Sequence, residues 1–356
     1  MKALVRSSAK RKDIRFCEYP KPELLDDCAI VEMKYAGICG FDIDSYNRDL
    51  KNDDHFSLPV IPGHEGSGII HELHPHGTTF EVGQPVVFET TFSVCGQCSY
   101  CKKGNVNLCP ERTGIGSRAN GCFAEFVLVP CRFLHKIPSG INLKIAALTE
   151  PLACAVHAVF EIAKVEKNQT AIVFGPGTMG ILIAILLNHI GVKVTVVGTP
   201  HSQHRLQLIQ NQNIADVRIL DSNDSPNENL SDAMFADVAF ECSGNSSALI
   251  SCLNCLKPLG KLIVVGDSKN PIQIDVRKFL LNKELSFYGS KSSRSSSYTL
   301  ALDLISPIYQ RISTVISHIF PFEEWENAFA IAENRTGIKV LLNFNTDHRG
   351  QNGKTA

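Results

Sequence analysis

The sequence predicts an α/β protein with two domains, one rich in β-strands and one built on a doubly wound parallel sheet. A chain of 356 residues is too long for one ordinary hydrophobic core. Residues 1 to about 150 contain short apolar runs separated by Gly, Pro and Asp, which is typical of β structure. From about residue 170 onward strands alternate with helices, and this alternation indicates a parallel sheet.

The individual elements follow from the spacing of apolar residues. The β-rich part has apolar runs at 29–31, 67–70, 85–88 and 124–129. The second part has six predicted strands at 171–174, 193–197, 216–220, 237–241, 261–265 and 285–288, with helices at 177–190 and around 203–212. A serine-rich polar crossing at 291–297 precedes helices at 298–309 and 322–333, a last strand at 339–344 and a polar tail at 346–356.

Composition limits the partners and the compartment. A formal net charge of −1 argues against nucleic acid as the main partner. The most apolar run, 171–187, is interrupted by glycines, so no membrane span is expected. The first residues lack the apolar core of a signal peptide, and the thirteen cysteines are therefore expected as thiols in the cytoplasm.

Four cysteines within fifteen residues predict a structural zinc site, with the pattern C-x2-C-x2-C-x7-C. They are Cys95, Cys98, Cys101 and Cys109. Four thiolates can surround one tetrahedral zinc ion and leave no position open for chemistry. The alternatives are coincidental thiols in a loop or an iron–sulfur cluster, whose spacing fits poorly. A zinc-ribbon module for nucleic acid is disfavoured because few basic residues lie nearby.

A G-x-G-x-x-G motif follows a predicted strand and opens a predicted helix, the context in which it binds a dinucleotide. Its glycines allow a tight turn and let pyrophosphate approach the helix N-terminus. The alternative is a plain glycine turn. The expected cofactor contacts are Gly175, Gly177, Thr178, Met179 and Gly180, together with Val265 and Gly266 after a later strand.

The end of the second strand of this domain distinguishes NADP from NAD. An NAD site usually carries a carboxylate about twenty residues after the glycine motif. This chain has none there and offers Thr199, His201, Ser202 and Arg205, with His204, which could hold a 2′-phosphate. NADP(H) is therefore the expected cofactor. The alternative is that Arg205 only caps a solvated helix face.

A second, catalytic zinc site is predicted from residues in the first 150 positions. His64 and Glu65 follow Pro62 and Gly63, which allow the bend that two neighbouring ligands need. Cys39 and Glu150 could complete a site that keeps one position open for substrate. Glu150 could instead cap the helix that begins at Pro151.

The remaining cysteines and several histidines are interpreted as structural. The cysteines are expected to be small buried hydrophobes, namely Cys17, Cys28, Cys122, Cys131, Cys154, Cys242, Cys252 and Cys255. The histidines are His55, His71, His74, His76, His157 and His318.

Taken in order, these motifs resemble the zinc-dependent medium-chain dehydrogenase/reductase superfamily. The resemblance rests on residues 37–42 and 59–68, the cysteine lobe and the glycine motif, and residues 150–158 are similar to the polyol and threonine dehydrogenase branch. It implies a GroES-like catalytic domain at 1–152 and 292–356 with a zinc lobe at about 90–112. It also implies a Rossmann domain at 153–291, an active site between the two, and a homodimer or homotetramer.

Two positions depart from the pattern of this superfamily. Phe41 stands where Ser or Thr usually passes the substrate proton towards solvent, and Asp44 stands where histidine is common. Either the proton leaves by another route, through Asp44, Ser45, Tyr46 or Glu150 with water, or the substrate differs from simple polyols. Phe41 would also place an aromatic wall near the metal and favour a ring-shaped or bulky substrate.

The predicted activity is zinc-dependent hydride transfer between a secondary alcohol, such as a polyol, sugar or cyclitol, or its ketone and NADP(H). The ion would lower the pKa of the alcohol, which then gives hydride to C4 of the nicotinamide. The alternatives are a zinc-independent quinone or enone reductase and a non-catalytic nucleotide-binding protein. Lys291 and Arg294 could meet an anionic substrate, although a solvated loop is the favoured interpretation.

Overall fold

A computed structural model of the protein describes residues 1–51, 53–74, 78–220, 235–268 and 270–345. The chain divides into two compact units, one of Met1–Glu150 with Ile316–Ala356 and one of Pro151–Val315. Residues 292–315, which the sequence-based limits gave to the first domain, belong to the second unit. His76 and the tail at 346–356 lie outside the described residues.

The described part of the first unit begins with nine strands and four α-helices. The strands are β1 (Lys2–Arg6), β2 (Ile14–Glu18), β3 (Cys28–Gly37), β4 (Glu65–Leu73), β5 (Pro85–Phe88), β6 (Thr91–Ser93), β7 (Thr113–Gly114), β8 (Phe126–Pro130) and β9 (Leu134–Lys136). The helices are α1 (Gly40–Asn47), α2 (Ser99–Lys102), α3 (Leu143–Ala146) and α4 (Thr149–Val156). The last of these runs into the second unit.

Within residues 151–220, 235–268 and 270–315, the second unit has six strands on a βαβ plan. They are β10 (Thr170–Phe174), β11 (Lys193–Gly198), β12 (Asp216–Ile219), β13 (Ala236–Glu241), β14 (Leu256–Val264) and β15 (Ser286–Gly289). The helices are α5 (Thr178–His189), α6 (Gln203–Asn211), α7 (Ser246–Cys255) and α8 (Ser295–Ser313). The chain then returns to the first unit as β16 (Ile316–Pro321), α9 (Trp325–Glu333) and β17 (Lys339–Asn343).

A seven-stranded sheet forms the frame of the first unit. Its order is β16-β17-β3-β4-β5-β9, with β8 also paired to β3. All of its pairs except β16–β17 are antiparallel. The core inside this frame contains Met33, Phe88 and Phe123, and α9 adds Trp325 and Phe329. The C-terminal segment is therefore part of the same core as the first 150 residues.

The sheet of the second unit is parallel throughout, in the order β12-β11-β10-β13-β14-β15. The strand order reverses at β10, which is the arrangement that the alternating pattern predicted, and the predicted fold class is confirmed. Eight of the twelve residues of α5 are buried, which explains why its sequence is apolar all round.

A polar network joins the starts of three strands in the second sheet. Asp237 accepts hydrogen bonds from the backbone N–H and the hydroxyl of Thr170, at 2.7 and 2.8 Å. Lys257 reaches the other carboxylate oxygen at 2.9 Å. Burial raises the pKa of Asp237, but the bonds from Thr170 and Lys257 outweigh it and leave the pKa below its ordinary value.

Two predicted boundaries were wrong near the end of the chain. The serine-rich stretch 291–297 is not all crossing, because α8 already begins at Ser295 and extends to Ser313. The Ser297 hydroxyl accepts the backbone N–H of Arg294 at 3.1 Å, so serine acts here as a helix cap. The helix predicted at 322–333 is a 3₁₀ turn at Phe322–Glu324 followed by α9.

No helix in the described part of the chain has the length and apolarity of a membrane span.

Candidate metal and cofactor sites

The turn before β4 is the feature that places two neighbouring side chains at one point. Gly63 has φ +89°, and a Cβ on it would lie only 2.5 Å from the ring of Phe123. Only glycine fits this left-handed, crowded position. His64 follows this turn, and Glu65 is the first residue of β4, so the backbone bends where the sequence analysis required it.

Cys39, His64 and Glu65 come together as a group. Their donor atoms all lie within 4.8 Å of one another, a spacing that a small closure would bring to a tetrahedral zinc site. Cys39 is the N-cap residue of α1. Gly37 pairs with Glu65 across β3 and β4. A Cβ on Gly37 would lie 2.2 Å from a carboxylate oxygen of Glu65, so glycine leaves the room that this carboxylate occupies.

Lys339 binds the carboxylate of Glu65 from the far end of the chain. Its Nζ lies 2.8 and 2.6 Å from the two carboxylate oxygens and donates to the Ile38 carbonyl at 3.1 Å. Side-chain exposure is 3% for the lysine and 1% for the glutamate. Burial lowers the pKa of Lys339, but Glu65, Cys39 and Glu150 hold it above its ordinary value. The sequence analysis missed this residue.

Asp42 is the second residue that the sequence analysis missed. It is buried, its carboxylate accepts the backbone N–H of Cys39 at 2.9 Å, and its other oxygen lies 3.7 Å from Nδ1 of His64. Burial lowers the pKa of His64, but Asp42, then Cys39 and Glu150, raise it well above its ordinary value. Burial and the nearby Glu65 raise the pKa of the Cys39 thiol. These surroundings favour a bound cation.

Glu150 and Asp44 lie outside the group of converging donor atoms. Glu150 is buried in the first turn of α4 and influences both His64 and Lys339 electrostatically. Asp44, on α1, forms an ion pair at 3.2 Å with Arg48. Asp44 therefore has a cationic partner of its own.

The cysteine lobe has a spacing suited to zinc. The Sγ atoms of Cys95 and Cys101 are 4.0 Å apart, and those of Cys95 and Cys109 are 3.6 Å apart. Sulfurs on a tetrahedral zinc ion with bonds of about 2.3 Å are about 3.8 Å apart. All four cysteines belong to the group of donor atoms within 4.8 Å. The lobe therefore fits zinc without rearrangement of its backbone.

Two thiols of the lobe differ in acidity. Backbone N–H groups of Cys98 and Gln97 lower the pKa of Cys95 to about 7. Burial and the Cys98 thiol raise the pKa of Cys101 to about 12. One cysteine is therefore ready to bind a cation as thiolate, and a cation must displace the proton of the other.

The glycine motif lies where the strand order of the parallel sheet reverses. Gly175 follows β10, Gly177 is the N-cap of α5, and Thr178 and Met179 form its first turn. A Cβ on Gly180 would lie 2.0 Å from the Gly175 carbonyl oxygen. Glycine at this position therefore lets α5 pack closely against the end of β10. The free N–H groups of this twelve-residue helix point towards the carboxyl edge of the sheet, as a pyrophosphate site requires.

Val265 and Gly266 follow β14 at the same edge. Both backbone N–H groups donate to the Glu241 carbonyl at 2.9 Å. The Glu241 carboxylate, fully buried, accepts the N–H and hydroxyl of Ser243 at 2.7 and 2.5 Å. This carboxylate thereby shapes the loop that packs against Gly175.

The residues expected to select NADP lie just after β11. Ser202 donates its hydroxyl to the Thr199 carbonyl and accepts the Thr199 N–H, at 2.8 and 3.0 Å. These bonds cap a short 3₁₀ turn, so both residues have a structural task. His201 is exposed and Arg205 is half-buried. Burial and then the charge of Arg205 lower the pKa of His204.

Two further predictions are changed by the structure. Arg294, a candidate for an anionic substrate, lies 3.7 Å from the carboxylate of Glu161, which offsets its charge. Cys17, expected to be buried, is exposed on β2 because its neighbour Phe16 takes the inward face of the strand. Cys154 and Cys242 are only partly buried.

Comparison with known proteins adds to this geometry. Residues 26–139 match the alcohol dehydrogenase GroES-like domain, and residues 178–307 match the zinc-binding dehydrogenase domain. The chain is 35% identical to the sorbitol dehydrogenase of Halalkalibacterium halodurans, over 96% of this chain and 99% of that protein. It is 32% identical to the D-arabitol-phosphate dehydrogenase of Enterococcus avium, over 98% of both.

The chain belongs to the zinc-binding alcohol dehydrogenase family. The resemblance found in its motifs is thereby confirmed, and this dehydrogenase is a zinc-dependent oxidoreductase with a nicotinamide cofactor. A solved zinc-binding dehydrogenase from Sinorhizobium meliloti, bound to NADP, has a similar structure. It is 25% identical with a TM-score of 0.83, and the match covers 96% of this chain and 98% of that one.

The two residues that the sequence analysis missed in this dehydrogenase differ in how they could have been found. Asp42 stands three residues after Cys39, the spacing of a helix capping box, and that pattern was visible. Lys339 lies 274 residues from Glu65 and carries no local signal. Only the pairing of β17 with β3 brings it to the metal donors.

Proposed function

We propose that this dehydrogenase interconverts a secondary alcohol of the polyol or sugar class and the corresponding ketone, with NADP(H) as the hydride carrier. In oxidation the substrate loses hydride from carbon to C4 of the nicotinamide and loses its hydroxyl proton to solvent. The observation that carries this proposal is the convergence of Cys39, His64 and Glu65 donor atoms within 4.8 Å. The polyol substrates named for its relatives support the substrate class.

Each residue of the group has a proposed task. Cys39 and His64 would hold the catalytic zinc, while Glu65 and Glu150 act in contact with it or through water. Zinc supplies Lewis-acid polarisation of the substrate oxygen when it is bound. Asp42 acts on the His64 ring electrostatically, with its carboxylate 3.7 Å from Nδ1. Lys339 holds the Glu65 carboxylate in place and offsets its charge.

Replacing the metal donors tests the proposal. Cys39→Ala and His64→Ala should abolish turnover and remove one zinc per subunit, while NADP(H) still binds. A zinc-independent reductase or a non-catalytic nucleotide-binding protein predicts no such loss. Undiminished turnover in either variant, or turnover that chelators never affect, would contradict the metal assignment.

We propose two zinc ions per subunit, one in the cysteine lobe and one at Cys39 and His64. The Sγ separations of the lobe support the structural ion. Because these cysteines must be thiolates to bind zinc, a reducing compartment such as the cytoplasm suits the protein. Metal analysis of the purified protein should give two zinc ions per subunit.

The preference for NADP over NAD is supported by the segment after β11. His201 and Arg205 offer positive or donor groups there, and no carboxylate is present between residues 198 and 205. Charge-assisted hydrogen bonds to a phosphate are worth about 1.5–3 kcal/mol, or about ten- to a hundredfold. Arg205→Ala should lower kcat/KM for NADP by this factor and leave that for NAD nearly unchanged. Arg277, an exposed arginine at the start of the helical turn Arg277–Leu281, serves as the control, and Arg277→Ala should change neither. A tenfold preference of the unmodified enzyme for NAD would reject this assignment.

We propose that the substrate is a free polyol rather than its phosphate. The ion pair between Arg294 and Glu161 argues against Arg294 as a phosphate ligand. Comparing kcat/KM for sorbitol and arabitol with that for their phosphates tests this. A tenfold preference for the phosphates would contradict it.

We propose a homodimer, with β15 as the interface strand, that could pair further into a tetramer. β15 is an edge strand without charged residues, and Phe287 and Tyr288 are 36% and 41% exposed. The opposite edge, β12, carries Asp216 and Arg218, which protect an edge from pairing. Tyr288→Glu should give monomers in sedimentation analysis, and Ile219→Glu on β12 should not. Unchanged association of the Tyr288 variant would refute this interface.

A further inference from the structure

An aromatic side chain stands beside the metal donors in the first turn of α1. The Phe41 ring lies 5.9 Å from the His64 ring, edge to face at 73°. Phe41 is 41% exposed, although most large apolar side chains of this unit are buried in its core. Its position follows directly from Cys39, which caps the same helix turn.

A second ring fixes the plane of Phe41. Phe56 stacks on it with centroids 5.7 Å apart and planes within 5° of parallel. The backbone N–H of Phe56 donates to the Asp53 carbonyl at 3.2 Å, and this bond closes a turn. The Asp53 carboxylate is bound at 2.6 Å by Arg48, the residue that ends α1. Phe41 is thus fixed at the start of α1, and Phe56 is linked through Asp53 to Arg48 at the end of the same helix. The two stacked rings are called here the Phe41–Phe56 platform.

The chemistry of the platform differs from that of a hydroxyl side chain. A phenyl ring can neither pass a proton nor accept a substrate hydroxyl. Its π face is negative and attracts the slightly positive C–H groups of an apolar face. A ring-shaped substrate presents such a face because its C–H groups are already held together by the ring. An open-chain substrate must lose rotational freedom to present a similar face. Because the Phe41 and His64 ring centroids are 5.9 Å apart, a substrate that reacts at the metal donors would lie beside this ring.

We propose that the Phe41–Phe56 platform selects substrates whose reacting carbon is part of a ring, such as a cyclic polyol or a cyclic sugar, over open-chain alcohols. This inference rests on the proposed function and names its substrate class. Phe41 contacts the substrate, and Phe56 is a positioning residue that holds the Phe41 plane. Aromatic contacts of this kind change affinity about two- to tenfold.

Matched ring and chain alcohols test the inference in the zinc-loaded enzyme. kcat/KM is measured for cyclohexanol against 2-hexanol and for myo-inositol against sorbitol. The unmodified enzyme should favour the ring compound of a pair by at least threefold. Phe41→Leu keeps an apolar side chain but removes the π face, and should lower the ratio about two- to tenfold. Phe56→Leu should lower it less. Phe320→Leu, which removes a ring stacked on His318 outside both metal groups, should leave the ratio unchanged.

A binding readout separates this inference from the proposed function. Saturation-transfer NMR should show magnetisation passing from aromatic protein protons to the ring C–H groups of cyclohexanol or myo-inositol, and Phe41→Leu should weaken it. Absence of zinc-dependent turnover with all four alcohols would count against the proposed function. The ratio of saturation transfer to the ring alcohols over that to the open-chain alcohols would still show whether the platform prefers rings. Equal treatment of ring and chain by the unmodified enzyme, or an unchanged ratio in Phe41→Leu, would overturn the inference.

Discussion

Removal of the Lys339 ammonium is the perturbation whose effect the structure defines best. Lys339→Met keeps the length of the side chain and deletes its charge. The Glu65 carboxylate, 1% exposed, then loses both of its bonds to Nζ at 2.8 and 2.6 Å. A buried carboxylate without its partner costs about 3–5 kcal/mol of folding free energy. The variant should therefore lose about this amount of unfolding free energy in a urea titration.

A solvent-exposed lysine that also forms an ion pair shows how much of the stability loss is due to burial rather than to loss of an ion pair alone. Lys2 forms an ion pair at 3.0 Å with Glu323, and both side chains are at least one-third exposed. This pair also joins the two ends of the chain, but solvent screens it, so Lys2→Met should cost less than about 1 kcal/mol.

A double-mutant cycle isolates the pair itself. In a Glu65→Gln background the uncompensated charge is gone, and Lys339→Met should cost much less there than alone. Both backgrounds are measured after removal of zinc, so that no metal charge replaces that of Nζ beside residue 65. If Lys339→Met costs no more than Lys2→Met, or costs the same in both backgrounds, the argument that this ion pair anchors β17 to the metal donors is wrong.

Three further predictions address other parts of the two units. Because the folded pKa of Asp237 is depressed, its contribution to stability is present above the unfolded value of about 3.9 and is lost as pH falls through the folded pKa. Asp237→Asn should therefore cost about 1 kcal/mol at pH 7, and the difference from the unmodified protein should shrink below about pH 4 in urea titrations. An equal difference at pH 7 and pH 3 would contradict this. Cys98→Ser should leave one zinc per subunit and lower Tm by about 5 °C or more, because the lobe loses a ligand; retention of both ions in metal analysis would exclude the lobe assignment. Gly37→Ala adds a Cβ 2.2 Å from a Glu65 oxygen and should lower zinc occupancy and kcat together, whereas Gly40→Ala, whose Cβ has no atom within 4 Å, should change neither. Equal behaviour of the two alanine variants would show that the carboxylate position does not matter.

Much of the candidate site could be predicted because its signals are local in sequence. The cysteine spacing of the lobe places four sulfurs within one short loop, whatever the rest of the fold does. The glycine motif after β10 needs only a strand before it and a helix after it. Gly63 before His64 could be identified because a left-handed turn requires glycine. The alternation of strands and helices similarly predicted the parallel sheet, although the helix boundaries near Ser295 and Phe322 and the start of β14 were wrong and β16 was not predicted.

The remaining features depend on residues far apart in the chain. Whether Arg294 is available for an anion depends on Glu161, which faces it from an earlier helical segment. The exposure of Cys17 depends on which face of β2 meets the core. Whether Phe41 forms a wall depends on Phe56, and the charge beside Glu65 depends on Lys339. No periodicity or spacing encodes such contacts.

The sequence alone determined the candidate sites in this protein: four cysteines spaced for a metal, a glycine motif suited to a nucleotide and a His-Glu pair beside a cysteine. Each needs residue types at short separations, and the backbone between them has few choices. Only the tertiary structure decided how the charges are balanced and which side chains lie beside the candidate metal donors. Burial makes an unpaired charge costly, and the partner that relieves this cost can come from any part of the chain that the fold brings near.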